Sequence, residues 1–250
     1  MTKTEPQLTV LMVTSPARAK LRTAAWAALA AQADVDEGVE ILVLADAGDG
    51  VNLSPPPWAA SLDVVIDRWS TLTAKLNAGF KSATAPYVTF WDDDDWSGPT
   101  RLRETLDLID SIYFDVAGPT TMLRHELATQ ARRTLRYTSP ANRPIHNGMI
   151  IRRELVLAHP FVAKVAKANQ HDVGDWLTRR IDSESDVINV EFPLVAMVHG
   201  SNMNAPKSYR VNEHNVVMDG PREYEAIGAR GAVLSVMGEP ALAAFEAAVR

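Results

Sequence analysis

Four consecutive aspartates at positions 92–95 constrain the fold of this chain more than any other feature. They directly follow residues 87–91, a run of β-branched and aromatic side chains that is typical of a covered strand. Crowding of like charges raises carboxylate pKa values or loosens a fold. A divalent cation relieves that repulsion, and hard oxygen ligands suit Mg²⁺ or Mn²⁺. The sequence therefore predicts a cation site where a buried strand leaves its sheet.

The spacing of the acids also predicts how they point. Alternate side chains of an extended backbone share a face, so we expect Asp92 and Asp94 on one side and Asp93 and Asp95 on the other. This gives an Asp-x-Asp pair at the carboxyl end of a strand, where open α/β sheets bind ligands. The alternative is a solvated acidic loop, but such a loop needs neither the apolar strand nor the flanking tryptophans.

The composition bounds the class of protein. With 250 residues and 46% hydrophobic content, the chain can form one large domain or two small ones with a full core. The absence of Cys excludes disulfides, thiolate catalysis and Cys-ligated zinc. Residues 1–7 are polar and no apolar run is long enough to cross a bilayer, so we expect a soluble, cytoplasmic protein without a membrane span.

Charge is unevenly distributed along the chain. The net charge of −6 argues against an extended nucleic-acid surface. Residues 124–153, however, contain seven arginines and one acid. This stretch is either a patch for an anionic ligand, which favours an anionic acceptor, or a set of arginines scattered over solvated turns.

Hydrophobic patterning predicts alternating strands and helices in the first half. Strands are expected at 8–13, 39–45, 62–66 and 87–91, with helices at 18–32, 71–83 and 100–112. This order indicates an α/β fold, a single Rossmann-like domain with a mainly parallel central sheet flanked by helices.

The alternation weakens after residue 114. Residues 115–144 have many turn residues, followed by short elements predicted at 148–152, 154–158, 172–181, 187–192, 194–198 and 240–250. No linker is visible, so we predict one domain over 1–250, with halves at about 8–114 and 115–210 and an extension at about 211–250. The final Ala-rich helix either packs on the domain or pairs two subunits in a homo-oligomer.

An ordered set of residues runs through the predicted strand ends and helix starts. Its members are Thr14, Arg18, Gln32, Asp46, Lys75, Asn77, Gly79, the strand with its Asp-x-Asp, Pro99 and Leu102. The set resembles the GT-A fold glycosyltransferases, most closely the inverting, DxD-containing family 2, over about residues 8–200. The family's usual double acid is reduced here to Asp46, because Ala45 precedes it.

The resemblance implies a nucleotide-diphosphate sugar as donor, with a UDP-sugar favoured, and Mn²⁺ or Mg²⁺ as cofactor. It makes Asp94 the direct metal ligand. The residues it implies for the donor are Thr14, Ser15, Arg18, Asp46, Lys75, Asn77, Asp92 and Asp93. Six of them have a structural alternative: helix caps for Thr14 and Ser15, a turn acid for Asp46, helix-surface polar residues for Lys75 and Asn77, and a first-turn cap for Asp93.

His199 follows an apolar strand, in a loop like the one that closes over the donor in related enzymes. His is a common ligand for Mn²⁺, so His199 is a candidate third metal ligand. The alternative is a structural histidine at a strand end.

An inverting transfer also needs a base for the acceptor hydroxyl, and a positioned carboxylate can serve. By resemblance this is Asp175, within Gly174-Asp175-Trp176, although the family usually has an acid where Gly174 stands. Asp172 is the reserve candidate. The structural alternative for Asp175 is an acid favoured at the start of a helix by the dipole.

Together these features predict a metal-dependent inverting glycosyltransferase of the hexosyltransferase type, acting on an acceptor that the sequence does not identify. The processive Gln-x-x-Arg-Trp pattern is absent, which favours transfer of a single sugar. One alternative is a nucleotidyltransferase acting on a nucleoside triphosphate, although residues 14–22 lack the expected glycine-rich loop. The other is a non-catalytic module that binds a nucleotide sugar.

Overall fold

The structure, a computed structural model, describes residues 5–35, 38–127, 134–139, 143–162, 186–199, 210–211, 216–219, 222–228 and 230–249. Its strands are β1 (Leu8–Val13), β2 (Val39–Asp46), β3 (Ala59–Asp67), β4 (Tyr87–Asp92), β5 (Asp95–Ser97), β6 (Val116–Gly118), β7 (Thr121–Glu126), β8 (Thr134–Thr138), β9 (Ile150–Arg152), β10 (Val187–Asn189), β11 (Leu194–Val198), β12 (Arg210–Val211), β13 (Val216–Asp219) and β14 (Arg222–Gly228). Its helices are α1 (Ala19–Ala30), α2 (Leu72–Ser82), α3 (Arg101–Ser111), α4 (Arg153–Ala158), α5 (Arg230–Met237) and α6 (Glu239–Ala248). Short 3₁₀ turns occupy Pro16–Arg18 and His146–Gly148.

The first sheet has the strand order β10-β6-β9-β4-β1-β2-β3. Strand β1 lies parallel to both β2 and β4, and β3 lies parallel to β2, while β9 runs antiparallel to β4 and β6. The predicted α/β class with a mainly parallel central sheet and flanking helices is confirmed.

Apolar residues on the two faces of this sheet form two separate cores. Leu11 and Phe90 point to the face covered by α2 and α4. Met12 and Trp91, their neighbours along the strands, point to the opposite face, covered by α1 and α3. The strands are apolar at consecutive positions because helices cover both faces of the sheet.

Gln32, two residues after the end of α1, fixes α3 against the first helix. Its side-chain amide donates to Gly98 O at 2.8 Å, and its Oε1 accepts from Leu102 N at 3.0 Å. The second bond satisfies one of the N–H groups that a helix start leaves without a partner. The start of α3 is therefore held in place directly after the acidic run.

The second sheet has the order β12-β13-β14-β8-β7-β11-β5. The interpretation of residues 115–144 as turn-rich is wrong, because β6 of the first sheet and β7 and β8 of the second all lie there. Strand β7 carries buried polar side chains, including Arg124, His125 and Glu126, so it lacks the apolar pattern of a strand. The predicted strand at 187–192 is also shorter, ending at Asn189. The predicted helix at 172–181 lies outside the described residues.

The two C-terminal helices pack on the domain, which is one of the two alternatives that the sequence left open. Phe245 of α6 lies in an apolar cluster with Leu21 of α1, Trp96 of β5 and Met197 of β11. Arg230 at the start of α5 pairs with Glu246 of α6 at 2.9 Å. In the part of the chain described here, no helix combines the length and the apolar character that crossing a membrane requires.

Candidate active site

The carboxyl ends of β1, β2 and β4 lie side by side at one edge of the first sheet. The parallel register sets Val13 opposite both Leu44 and Asp92. Thr14 and Asp46, which follow on the same two strands, therefore lie along the same edge as the rest of the acidic run. Edges of this kind are where open α/β sheets bind their ligands.

The acidic run forms a turn between two strands of different sheets rather than continuing as one strand. Strand β4 ends at Asp92, and β5 begins at Asp95, which pairs antiparallel with Ala196 of β11. Asp93 and Asp94 form the turn between them. The predicted alternation of side chains is therefore wrong, because it assumes an extended backbone through all four residues.

The turn sorts the four carboxylates into two pairs. Asp92 and Asp95 converge on Asn147, whose Nδ2 donates to Asp92 Oδ2 at 2.7 Å and also to Asp95 Oδ2. The other oxygen of Asp95 accepts from Met197 N at 2.9 Å. This backbone bond ties the carboxylate to β11, about a hundred residues further along the chain.

Asp93 and Asp94 face the start of the first helix instead. Arg18 Nη1 lies 2.8 Å from Asp93 Oδ1 and 3.2 Å from Asp94 Oδ2. Burial by itself lowers the pKa of Arg18, but the charges of Asp94 and Asp93 outweigh it and raise that pKa above its ordinary value. His199 Nε2 lies 2.9 Å from Asp94 Oδ2, so the residue predicted as a third ligand sits directly beside the predicted ligand.

Three of the aspartates could hold a cation together. Asp92, Asp94 and Asp95 each offer a carboxylate oxygen, and the three oxygens lie within 4.8 Å of one another. Burial, and then the charge of Asp94, raises the pKa of Asp92 to about 7 and that of Asp93 to about 6, and raises the pKa of Asp95 well above its usual range. An all-carboxylate donor set under this much mutual repulsion fits a hard divalent cation. Asp95 was not among the residues predicted to bind the metal.

Lys75 links the ends of β1 and β2. Its Nζ donates to Thr14 O at 2.5 Å and to Asp46 Oδ1 at 2.8 Å. The ammonium is almost fully buried, whereas 41% of the Asp46 side chain is exposed. As placed, Lys75 orients Asp46 and leaves that carboxylate open to a ligand. The predicted contact of Lys75 with a diphosphate stays a prediction.

A second buried ion pair lies behind Thr14. Arg22 Nη1 donates to both oxygens of Asp49, at 2.8 and 2.7 Å, and to Thr14 Oγ1 at 2.9 Å. Arg22 lies one helical turn after Arg18, so both guanidinium groups reach the same edge of the sheet. Arg22 was not among the residues predicted to form the site. Its spacing of four residues from Arg18, on an otherwise Ala-rich helix, is the signal that could have identified it. Ser15 is half-buried beside Thr14 and makes no side-chain capping bond.

Asn77 lies on α2 with both ends of its amide occupied. Its Nδ2 donates to Phe161 O at 2.9 Å, and its Oδ1 accepts from Phe161 N at 3.0 Å. These bonds fasten the segment after α4 to α2. The predicted contact of Asn77 with the nucleoside stays a prediction and requires these bonds to open. Asp175, the predicted base, and Asp172, the reserve, lie outside the described residues.

Several members of the Arg-rich stretch are engaged by the chain itself. Arg152 pairs with Asp115 at 2.6 Å, and Arg136 pairs with Glu225 at 3.0 Å. Arg153 donates to the backbone oxygen of Phe80 at 2.9 Å. These three arginines therefore form bonds to other parts of the chain. For the remaining arginines of residues 124–153, the patch for an anionic acceptor stays a prediction.

Comparison with known proteins agrees with this geometry. Residues 64–173 match the family model described as Glycosyl transferase family 2. This matched segment is less than half of the 250-residue chain. The match confirms the predicted resemblance to the family 2 glycosyltransferases. The matched segment includes Lys75, Asn77 and the four aspartates.

Solved structures share the GT-A fold at low sequence identity. The mannosyltransferase PcManGT from Pyrobaculum calidifontis, in complex with GDP-Man and Mn²⁺, is 15% identical with a TM-score of 0.56, over 81% of this chain and 60% of its own. TarS from S. aureus is 17% identical with a TM-score of 0.52, over 77% of this chain and 37% of its own. TarS 1-349 in complex with UDP-GlcNAc is 16% identical with a TM-score of 0.52, over 82% of this chain and 62% of its own.

The present chain therefore spans between 37% and 62% of the length of these structures. No curated protein sequence matches it.

Proposed function

We propose that this protein is a metal-dependent inverting glycosyltransferase that moves a sugar from a nucleotide-diphosphate sugar, with a UDP-sugar as the favoured donor, to an acceptor hydroxyl. The observation that carries the proposal is the cluster of Asp92, Asp94 and Asp95, whose oxygens lie within 4.8 Å of one another at the ligand-binding edge of the sheet.

Asp94, with Asp92 and Asp95, would hold Mn²⁺ or Mg²⁺, and His199 stands beside Asp94 as the candidate further ligand. When bound, the cation neutralises the negative charge that develops on the departing diphosphate. Arg18, which pairs with Asp93 and Asp94, would stabilise the same negative charge on the diphosphate. Its side chain is 18% exposed, so it can reach an incoming phosphate without leaving the site.

The donor nucleoside is assigned to the edge formed by Thr14, Ser15 and Asp46. Asp46 is the acid at the end of β2, held by Lys75 with its carboxylate partly exposed. Among structures of similar fold, one is a complex with UDP-GlcNAc and another with GDP-Man and Mn²⁺. Both ligands are nucleotide-diphosphate sugars, which supports that donor class.

The role of the base that deprotonates the acceptor hydroxyl is assigned to Asp175 on the basis of the family resemblance. The carboxylate takes the proton from the acceptor hydroxyl as that oxygen attacks the anomeric carbon. Asp175→Asn should keep donor binding, measured by calorimetry, and lower sugar transfer by about two to four orders of magnitude. A normal turnover rate in this variant would rule Asp175 out as the base.

The metal assignment is tested by Asp94→Ala, with Asp63→Asn on the exposed face of β3 as the matched control. Asp94→Ala should abolish nucleoside diphosphate release and the rise in melting temperature that Mn²⁺ causes in the wild type, because ligand binding to the native state stabilises it. Asp63→Asn should change neither quantity. Full activity in Asp94→Ala would refute the metal assignment.

The identity of the released product and the presence of turnover distinguish the proposed glycosyltransferase from a nucleotidyltransferase and from a non-catalytic binding module. Release of pyrophosphate from a nucleoside triphosphate would identify a nucleotidyltransferase instead. Donor binding without turnover on any acceptor would identify a binding module.

A further inference from the structure

Arg101, the first residue of α3, lies beneath the acidic turn and is 1% exposed. Its Nη1 donates to Ser97 Oγ at 2.8 Å. Its Nη2 donates to Thr89 Oγ1 at 2.9 Å and to Phe90 O at 2.6 Å. One guanidinium group thus holds two residues that precede the four aspartates and one that follows them.

The surroundings of this guanidinium are unusual for a buried charge. It lies between two aromatic rings, 4.7 Å from the centre of Trp91 and 5.1 Å from that of Phe192. Within the described residues its nitrogens make no ion pair, although buried charges are normally paired. Burial lowers its pKa to about 9, and the charges of Asp92 and Asp95 oppose that shift. At neutral pH it is therefore still a cation, placed behind two of the clustered carboxylates.

The hydrogen bonds require arginine rather than any cation. Nη1 reaches Ser97 at the end of β5 and Nη2 reaches Thr89 and Phe90 within β4, so the planar group spans the two strands that the turn connects. A lysine ammonium is a single point charge on a flexible stem and cannot present two separated nitrogens in one plane. Without this span β4 and β5 would be free to move apart, and with them Asp92 at the end of β4 and Asp95 at the start of β5.

We propose that Arg101 is a positioning residue for the proposed metal site, which clamps β4 to β5 so that Asp92, Asp94 and Asp95 present their oxygens together. The inference rests on the proposed metal-dependent function, because it assigns Arg101 a role through the metal ligands and not through contact with substrate. Groups that orient metal ligands typically change metal affinity by about 10- to 100-fold when they are removed.

The test is calorimetric titration of the full chain with Mn²⁺ alone, at a temperature where circular dichroism shows each variant folded. Arg101→Met should bind Mn²⁺ about 10- to 100-fold more weakly than the wild type. Arg101→Lys keeps the charge but loses the span, so its affinity should stay about tenfold below that of the wild type. Arg103→Met is the matched control on the same helix, since the Arg103 side chain is 43% exposed and pairs with Asp107, and it should bind Mn²⁺ as the wild type does.

A purely structural role makes a different prediction, since it would lower the melting temperature and leave the Mn²⁺ affinity of the folded protein unchanged. Wild-type affinity in Arg101→Met, or full rescue by Arg101→Lys, would overturn the inference. Ser97→Ala and Thr89→Val remove single partners of the guanidinium and decide the question if the Arg101 variants do not fold. Each removes one of the three hydrogen bonds, so each should weaken Mn²⁺ binding by about two- to fivefold, the cube root of the 10- to 100-fold effect of losing all three. Unchanged affinity in both refutes the clamp.

The wild-type titration distinguishes failure of the proposed metal-dependent function from failure of the proposed role of Arg101. A wild type that does not bind Mn²⁺ removes the proposed metal-dependent function and the role of Arg101 with it. A wild type that binds Mn²⁺, together with variants that bind it equally well, removes only the role of Arg101.

Discussion

Gly148 sets how closely the turn carrying Asn147 approaches the acidic cluster. A Cβ atom at this position would lie 2.6 Å from Pro119 Cγ, 2.7 Å from Pro119 Cδ and 3.0 Å from Phe192 Cε2. Carbon atoms pack at about 3.5–4.0 Å, so the turn in Gly148→Ala must move by about 1 Å. The proline ring is rigid and the backbone of the turn is the part that can give.

This shift has a structural and a functional consequence. Overpacking of this kind typically costs about 1–3 kcal/mol, which lowers the melting temperature by about 2–12 °C in a chain of this size. The same movement lengthens the 2.7 Å bond from Asn147 Nδ2 to Asp92 Oδ2 past hydrogen-bonding range and leaves Asp92 and Asp95 without their shared donor. Mn²⁺ binding should therefore weaken by about tenfold.

Thermal unfolding followed by circular dichroism and calorimetric titration with Mn²⁺ measure the two effects. Gly231→Ala is the matched control, because a Cβ there meets no atom within 4 Å and the residue is exposed on α5. Alanine is favoured over glycine by up to about 1 kcal/mol in a helix, so the control should melt at the same or a higher temperature. If Gly148→Ala melts and binds Mn²⁺ like the wild type, the close packing of this turn does not position the carboxylates.

Two further substitutions test the scaffold away from the site. Glu40 accepts hydrogen bonds from the hydroxyl of Thr9, from Thr84 N and Oγ1 at 2.6 Å each, and from Ala85 N at 3.2 Å. Glu40→Ala leaves these donors without their acceptor and should therefore lower the free energy of unfolding by about 2–5 kcal/mol. The folded variant should keep the Mn²⁺ affinity of the wild type. Phe245→Ala should cost about 3–5 kcal/mol and lower the melting temperature by about 6–20 °C, since the ring is 1% exposed. A smaller loss than in the exposed-site control Val249→Ala would show that α6 does not stabilise the domain.

The first half of the fold follows from local patterns. Strands β1, β2 and β4 and helices α1, α2 and α3 lie within two residues of the predicted ranges, because apolar periodicity and turn residues mark both ends of each element. Their order also fixes which strand ends meet, and this places Thr14, Asp46 and Asp92 at one edge. A parallel sheet covered on both faces has little freedom to arrange them otherwise.

The second sheet depends on partners far away along the chain. Strand β5 has three residues and pairs with β11, about a hundred positions later. No period can be read from three residues, and so the turn at Asp93 and Asp94 was not predicted. The same holds for Asn147, which reaches Asp92 and Asp95 from the turn before β9. Nothing local in the sequence marks an asparagine as a bridge between two carboxylates.

The charges around the turn explain why its ligand should be divalent. Lys75 is paired with Asp46, and Arg22 is paired with Asp49, so each of these buried bases is balanced by its own acid. Asp92, Asp94 and Asp95 place carboxylate oxygens within 4.8 Å of one another. Burial and the charge of Asp94 raise the pKa of Asp92 to about 7 and that of Asp95 well above its usual range, so the ionised cluster is costly. A divalent cation offsets more of this mutual repulsion than a monovalent cation does. On this reasoning K⁺ and Na⁺ should not replace Mn²⁺ in restoring donor turnover after chelation, even at a large excess.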